Sequence, residues 1–336
     1  NRITLLRDTD NDGVADLKVA LVEDLNSPFG MAYANGQLYV ANTDAVVTVP
    51  YSLGSLKIES APTVLAPLPA GDLNHHWTKG LVISPNGESL YVSVGSNSNI
   101  GENGMAAEHQ RAAILAINAE TGATQVFASG LRNPVGMAFE PTTGKLWTVV
   151  NERDELGDQL VPDYLTSVAQ GEFFGWPYSY WGNMVDERVT PQRPELVAAA
   201  KAPDYALGAH TASLGLAFYP RLESAYKVAS QNQNITSSAA TYSSAASKGL
   251  ALLSGMALVG QHGSWNRSVP SGYKVIGVPF NGGKPAGTPI TVLEGFLSTE
   301  GRAYGRPVGV VTNAAGSVLV ADDVGGVIWH MHHYFD

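Results

Sequence analysis

Short apolar runs separated by glycine-rich turns recur along the chain. In each copy an apolar run containing a glycine leads, through a Gly or Asn-Gly turn, into a second apolar run. Complete copies occupy residues 28–40, 80–92, 134–147 and 307–320, and an interrupted fifth copy begins at 214–218 and resumes at 256–259. Gly and Asn-Gly supply the positive φ that tight hairpins require. Each copy therefore predicts two antiparallel strands joined by a turn.

The spacing of the copies indicates the architecture. The first three recur about every 50 residues, which suits four-stranded propeller blades better than the 8–12-residue rhythm of a sandwich. We predict an all-β propeller of four-stranded antiparallel blades forming a single domain over residues 1–336, with five blades represented by the copies. The Ser-, Ala-, Gln- and Asn-rich stretch 229–248 is too poor in large apolar residues to pack, so we expect an exposed low-complexity insertion there.

Composition and charge exclude several classes of protein. The 336 residues are 44% hydrophobic and 15% charged, enough to bury a sizeable core. Apolar runs stay well short of the roughly 18 residues that a membrane span needs, so we expect no membrane span. A net charge of −10 argues against a nucleic-acid partner, because such proteins need a basic face.

The absence of cysteine removes disulfides, thiolate metal sites and cysteine nucleophiles together. The chain opens directly in a strand-like run at residues 3–6 without an initiator Met. We therefore expect a processed or trimmed product.

An acidic loop near the N-terminus has the spacing of a calcium site. Asp8, Asp10, Asp12 and Asp16 recur at even intervals around Gly13, which permits the sharp turn that wraps oxygen ligands around a hard cation. Val19 stands where a complete EF-hand loop has its Glu. The alternative is a solvated acidic turn.

Two polar loops precede inner strands of neighbouring copies and should meet at the propeller axis. One carries His76, whose side chain type has a pKa near neutrality and suits proton transfer, although ordinary packing is the alternative. The other carries Arg132 and Asn133, which could hold a carboxylate or polarise a carbonyl; the alternative is an arginine bridging two blades.

The order of these motifs resembles one known family. His76 before residues 81–87, the Arg-Asn-Pro-Val-Gly run at 132–136, Gly-Trp-Pro at 175–177 and the segment 261–267 together resemble the pyrroloquinoline quinone (PQQ)-dependent sugar dehydrogenases, in the branch called L-sorbosone or aldose dehydrogenase. The resemblance covers nearly the whole chain apart from the insertion. Members of that family are six-bladed, which implies a six-bladed propeller that lacks part of its N-terminal blade here.

The resemblance implies an activity and a set of site residues. It implies oxidation of aldose sugars or sugar aldehydes to the lactone or acid by hydride transfer to C5 of PQQ, with His76 as general base. Arg132 would lie at the quinone oxygen with Asn133 beside it. Arg306 matches an arginine that binds a PQQ carboxylate, and Arg267 stands where the family has a lysine.

The resemblance also implies a calcium ion beside the cofactor, held by backbone carbonyls in the loop 151–158. Asp154 and Glu155 would offer those carbonyls, although the family commonly has Gly-Pro there and a plain acidic loop is the alternative. Two further departures are Ser96, where some members have an Asp that orients the base, and Val308, where a second arginine is common.

The expected partners are a sugar or sugar-aldehyde substrate and a quinone or cytochrome electron acceptor, and the expected location is periplasmic or secreted. Two other functions stay open. One is a calcium-dependent lactonase-type hydrolase, which would need carboxylate or Asn ligands converging on the axis. The other is a non-catalytic binding propeller.

Overall fold

The chain folds almost entirely into antiparallel β-sheet. The computed structural model describes residues 1–72, 74–221, 250–313 and 316–331, so the insertion predicted at 229–248 lies outside the described residues. Helical structure in the described part consists of α1 (Pro194–Ala199) and a 3-10 turn at Leu250–Leu253. The strands are β1 (Ile3–Arg7), β2 (Leu17–Val22), β3 (Gly30–Ala34), β4 (Gln37–Ala41), β5 (Ala45–Pro50), β6 (Thr63–Pro67), β7 (Leu81–Ile83), β8 (Ser89–Val94), β9 (Ala113–Asn118), β10 (Thr124–Ser129), β11 (Asn133–Phe139), β12 (Leu146–Asn151), β13 (Pro162–Val168), β14 (Ser179–Tyr180), β15 (Met184–Val185), β16 (Tyr205–Ala209), β17 (Ser213–Phe218), β18 (Ala257–Gln261), β19 (Lys274–Val278), β20 (Phe280–Asn281), β21 (Lys284–Pro285), β22 (Ile290–Leu293), β23 (Pro307–Thr312), β24 (Val318–Asp322) and β25 (Val327–Met331).

Five blades follow one another along the chain, and each repeat predicted from the sequence forms the first two strands of a blade. Four blades have four strands, in the orders β3-β4-β5-β6, β7-β8-β9-β10, β11-β12-β13-β16 and β17-β18-β19-β22. The fifth, β23-β24-β25, has three described strands. The small hairpins β14-β15 and β20-β21 are insertions within the third and fourth blades.

Glycines on the inner strands explain why the blades pack so closely around the axis. A Cβ added to Gly80 would lie 2.1 Å from the Val135 carbonyl oxygen of the next blade, and Gly30, Gly136 and Gly215 face the following inner strand in the same way. Any side chain at these positions would collide with backbone. A Cβ on Gly309, in the fifth blade, would meet nothing nearer than 3.8 Å, because the described residues place no further inner strand beside it.

Apolar residues from facing sheets form the core between neighbouring blades. Leu90 and Val92 of the second blade pack with Val46 of the first, and Trp147 and Val259 lie together between the third and fourth. Apolar side chains at alternate strand positions thus contact the next sheet, which is the pattern that buries both faces of a blade.

The hairpin β1-β2 forms a separate two-stranded sheet at the start of the chain. Its Leu21 and Val22 pack against Val40 and Val47 of the first blade. The structure therefore confirms an all-β propeller, with five blades in the described residues, whereas the predicted count of six is not confirmed. No helix in the described part of the chain is long and apolar enough to cross a membrane.

Candidate active site

A polar cavity of about 370 Å³ lies at the end of the blades where the inner strands begin. Both predicted axial loops reach it, together with the ends of β12 and β16 and the segment after β18. The residues that line it are His75, His76, Arg132, Asn133, Asn151, Glu152, Asp154, Asp163, His210, Ala212, Trp265 and Asn266. The fold thus brings His76, Arg132, Asn133 and Asp154 from the sequence-based set to one place.

The hydrogen bonds of His76 fix its tautomer. Nδ1 lies 2.8 Å from the Ser96 carbonyl oxygen and 3.1 Å from Ser96 Oγ. Because the Ser96 hydroxyl donates to the Ser98 carbonyl, both atoms facing Nδ1 are acceptors. Nδ1 must therefore carry the proton, which leaves the lone pair on Nε2 to accept one.

Burial and neighbouring charge keep His76 neutral. Burial, followed by the positive charge of Arg132, holds the pKa of His76 well below its usual value, while the bond to the Ser96 carbonyl opposes that shift. An imidazole that is neutral at pH 7 is in the form that a general base requires.

Close packing around Gly95 holds His76 against Asn133. A Cβ on Gly95 would lie 2.3 Å from Asn133 Oδ1 and 2.4 Å from the His76 Cβ. A side chain at Gly95 would therefore push the two cavity residues apart.

Arg132 is buried and held by four hydrogen bonds. Nη1 donates to the Glu152 carbonyl at 2.8 Å, Nη2 donates to Asp154 Oδ2 at 3.0 Å and to Asn99 Oδ1 at 2.9 Å, and Nε donates to the Asn99 carbonyl at 3.3 Å. These contacts fix a permanent positive charge in the wall of the cavity.

Two amide side chains in the wall have polar atoms available to a ligand. The Oδ1 atoms of Asn133 and Asn266 are buried without a hydrogen-bond partner. Since unsatisfied buried acceptors are costly, such atoms indicate a place where a bound molecule completes the network. The arginine charge, the imidazole and these amides form a donor and acceptor set that fits a planar polycarboxylated quinone such as PQQ.

Asp154 is the centre of a charged network. Its Oδ1 accepts from Asn266 Nδ2 at 2.8 Å and lies 3.5 Å from His210 Nδ1, and its Oδ2 pairs with Arg132. Its backbone carbonyl accepts from Arg188 Nη1 at 2.9 Å. The neighbouring Glu155 side chain is 79% exposed, and its Oε2 lies 4.0 Å from Arg188 Nη1.

The structure places Arg306 and Arg267 outside the described lining of this cavity. Arg306 donates to the Gly263 carbonyl and the Tyr273 hydroxyl and stacks over the Tyr273 ring, beside His262. Arg267 has a buried Nε without a partner. Neither guanidinium lies beside His76 and Arg132 in this arrangement.

The N-terminal acidic loop forms a separate candidate metal centre. Carboxylate oxygens of Asp8, Asp10 and Asp12 lie within 4.8 Å of one another. Asp8 accepts from the Asn11 and Gly13 backbone N–H groups, which folds the loop around the carboxylates. Asp16 lies outside this group, and its carboxylate binds the backbone N–H and hydroxyl of Thr9.

No sequence pattern indicated Asp163 in the cavity wall, and the family resemblance placed His210 near the funnel at the propeller axis without a role. Asp163 is buried and accepts from the Glu152 and Ser213 backbone N–H groups and from the Thr211 hydroxyl; burial raises its pKa to about 6. His210 donates from Nε2 to the Gly157 carbonyl at 3.0 Å. Asp163 lies at the start of β13, the third strand of its blade. His76 and Arg132 were identified because they precede inner strands, and that criterion does not apply to Asp163.

Trp265 lies at the mouth of the cavity and is 78% exposed. It also lines an adjoining cavity of about 420 Å³ with Asn99, Glu102 and Asp158. An exposed indole beside carboxylate and amide groups suits a polyhydroxylated ligand, because the ring can stack on C–H groups while the polar atoms bind hydroxyls.

The fold and the cavity define a β-propeller with a polar cavity at one end of its axis. The chain belongs to the TrAA12-like family, whose model matches residues 2–176 and 185–334. The resemblance of the sequence to the PQQ-dependent sugar dehydrogenases is confirmed by this family match and by the solved structures that share the fold.

Solved structures share the fold across almost the whole chain. A Trichoderma reesei carbohydrate-active enzyme of family AA12, solved with calcium, matches with a TM-score of 0.76 and 19% identity, over 97% of this chain and 86% of that one. The PQQ domain of Coprinopsis cinerea pyranose dehydrogenase, in its holo form, matches with a TM-score of 0.74 and 20% identity, over 96% and 86%. At these identities the matches establish the fold.

A curated relative is similar over a shorter segment. Aldose sugar dehydrogenase YliI of Escherichia coli is 32% identical over 102 residues, which are 30% of this chain and 26% of that protein.

Proposed function

We propose that this protein is a PQQ-dependent dehydrogenase that oxidises aldose sugars or sugar aldehydes, sorbosone-like compounds among them, to the lactone or acid. The observation that carries the proposal is His76, whose Nδ1 is committed to two acceptors and whose Nε2 is left as a base in a cavity shared with Arg132 and Asn133. Family membership and the PQQ-containing fold relatives support it.

The proposed chemistry assigns each residue one task. His76 Nε2 takes the proton from the substrate hydroxyl, and the Ser96 carbonyl stabilises the resulting imidazolium through Nδ1–H. Arg132 presents fixed positive charge to negative charge developing on an oxygen in the cavity. PQQ, held by Arg132, Asn133 and Asn266, would supply the electrophilic carbon, C5, that accepts hydride.

The substrate would enter past Trp265. Its ring offers an exposed stacking face, and Glu102 and Asp158 offer carboxylates to sugar hydroxyls. Electrons would pass on to a quinone or a cytochrome, and we place the protein in the periplasm or outside the cell.

Calcium would bind the acidic loop at residues 8–16. Asp8, Asp10 and Asp12 present clustered carboxylates, the ligand type that calcium prefers. A cation there would stabilise the N-terminal hairpin β1-β2, whose two strands this loop connects.

The lactonase alternative is less well supported. Its calcium would need carboxylate or Asn ligands converging on the axis. The carboxylates of Asp154, Glu152 and Asp163 are each held by arginines, side-chain donors or backbone N–H groups. The unpartnered amide oxygens of Asn133 and Asn266 are neutral and bring no negative charge to a divalent cation. Among the described residues, the clustered carboxylates suited to a metal are those of the N-terminal loop.

Reconstitution tests the proposal. Purified protein is titrated with PQQ, binding is followed by quinone absorbance, and dye reduction is then measured with aldoses and sugar aldehydes. We expect one PQQ per chain and dye reduction that depends on both PQQ and sugar. Saturable PQQ binding without sugar oxidation would favour the binding propeller, and lactone hydrolysis that needs only calcium would favour the lactonase.

A further inference from the structure

A cation from outside the loop at 151–158, the guanidinium of Arg188, lies against the Asp154 carbonyl. We infer that the guanidinium of Arg188 takes the place of the calcium ion that the family resemblance assigns to the Asp154 carbonyl, so that the cofactor site of this protein needs no divalent cation. The part of this inference that concerns the cofactor rests on the proposed function. The part that concerns cation binding depends only on the contacts of the loop 151–158.

The geometry of Arg188 directs it at the carbonyl. Nε and Nη2 donate to the two carboxylate oxygens of Asp186 at 2.9 and 2.8 Å, and Nη1 donates to the Asp154 carbonyl at 2.9 Å. Asp186 is buried and also pairs with Arg153. A planar guanidinium held at two points by a buried carboxylate has little freedom to leave its third acceptor.

Other carbonyls of the loop are taken in the same way. The Glu152 carbonyl accepts from Arg132 Nη1, and the Gly157 carbonyl accepts from His210 Nε2. Three carbonyls that could turn towards a cation are thus bound to nitrogen donors, and a metal ion would have to displace them.

The carboxylate of Asp154 is also in use. Oδ2 pairs with Arg132, and Oδ1 accepts from Asn266. The Glu155 side chain is 79% exposed, and its Oε2 lies 4.0 Å from Arg188 Nη1, so this carboxylate also faces the guanidinium.

The carboxylates of the cluster that are paired with arginines have these partners without calcium. Three guanidinium groups meet four carboxylates through the pairs Arg132–Asp154, Arg153–Glu152, Arg153–Asp186, Arg188–Asp186 and the longer pair Arg188–Glu155. Asp163, the adjacent carboxylate, is bound by two backbone N–H groups and a hydroxyl. A divalent ion would have to take these oxygens from their present donors, which costs the ion pairs and hydrogen bonds that hold the buried groups.

Cation counting tests the inference without PQQ. Terbium(III), a luminescent substitute for calcium, is titrated into the wild-type protein and into the variant Asp8→Asn/Asp10→Asn/Asp12→Asn. We expect about one tightly bound ion per wild-type chain, held by the carboxylates of Asp8, Asp10 and Asp12. We expect none in the triple variant. A tight ion retained by the triple variant would overturn the inference.

Cofactor binding gives a second test. In the triple variant, PQQ affinity should be the same in calcium and in EDTA, and Arg188→Met should weaken it about tenfold or more while Arg188→Lys keeps most of it, because the lysine preserves the charge. Arg193→Met is the matched control, since Arg193 is exposed and pairs with Glu195.

A requirement for calcium in the triple variant, or unchanged PQQ affinity in a folded Arg188→Met protein, would contradict the inference. If the Arg188→Met protein does not fold, the comparison of calcium with EDTA decides. If PQQ binds under no condition, the proposed function fails, while the terbium count still decides whether the loop takes a cation.

Discussion

Two acidic loops in this protein look alike in sequence and differ in structure. Residues 8–16 and 151–158 each carry four acidic side chains around a glycine. In the first loop, three carboxylates cluster at the surface and are bound by backbone N–H groups of the same loop. In the second, the Asp154 carboxylate and the carbonyls of Glu152 and Asp154 are bound by arginines from other parts of the chain. The number and spacing of acidic residues therefore show how many carboxylates a loop offers to a metal ion. They do not show whether arginines from elsewhere in the chain already bind those carboxylates.

The largest difference should appear when one carboxylate is neutralised in each loop. Asp154→Asn leaves Arg132 without its ion pair in the cavity wall, and we expect a loss of about 2–4 kcal/mol in the free energy of unfolding. Asp12→Asn, measured in EDTA, should stay within about 0.5 kcal/mol of wild type because its side chain is exposed. Urea denaturation of both variants measures these two free energies of unfolding. Equal decreases in the two variants would contradict the claim that only the second loop is held by ion pairs.

Calcium should stabilise the protein through the first loop. At a calcium concentration ten times the dissociation constant, we expect a gain of about 1.4 kcal/mol in the wild-type free energy of unfolding. The Asp8→Asn/Asp10→Asn/Asp12→Asn variant should gain nothing. If the midpoint of urea denaturation of that variant still rises with calcium, the ion binds outside the loop 8–16.

The second loop should influence catalysis because its Asp154 holds Arg132, whose charge affects the protonation of His76. The neutral imidazole is the active base, and burial together with the Arg132 charge lowers its pKa. We therefore expect kcat/KM to stay level as the pH falls through 6.5, and to decline about tenfold per pH unit only below the lowered pKa. An acid limb centred at or above 6.5 would show that His76 is not held neutral in this way.

A smaller effect is expected from the hydroxyl that helps to orient His76. Ser96→Ala removes one acceptor of Nδ1–H and leaves the backbone carbonyl at 2.8 Å. We expect kcat to fall about threefold, in line with one of two hydrogen bonds being lost. Ser84→Ala, in the turn between β7 and β8 at the opposite end of that hairpin from His76 and Ser96, serves as the control. A loss of several hundredfold in Ser96→Ala would show that the hydroxyl is the principal orienting group.

The blades were predictable because their determinants are local. Each repeat contains its turn residues, its alternating apolar positions and the glycine that lets the next inner strand approach, as at Gly80 and Gly136. His76 and Arg132 were found because they directly precede inner strands, which all begin at the same end of the propeller.

The remaining parts of the site depend on contacts distant in sequence. Arg188 reaches Asp154 from 34 residues further along the chain, beyond the β14-β15 hairpin. Ser96 replaces an orienting carboxylate through its backbone carbonyl, an atom that every residue has. Trp265 and Asn266 lie in a segment that carried the family resemblance, but their places at the mouth and in the wall required the fold of the fourth blade.

The most direct test of the account is single-turnover reduction of the bound quinone by sugar, followed by stopped-flow absorbance without oxygen or dye. We predict rapid reduction in the PQQ-loaded wild-type protein, and reduction slowed about 10²–10⁴-fold in His76→Gln despite similar PQQ binding. His109→Gln, which changes an exposed histidine, should match wild type. Equal rates in His76→Gln and wild type, or no reduction by any aldose or sugar aldehyde, would contradict the account.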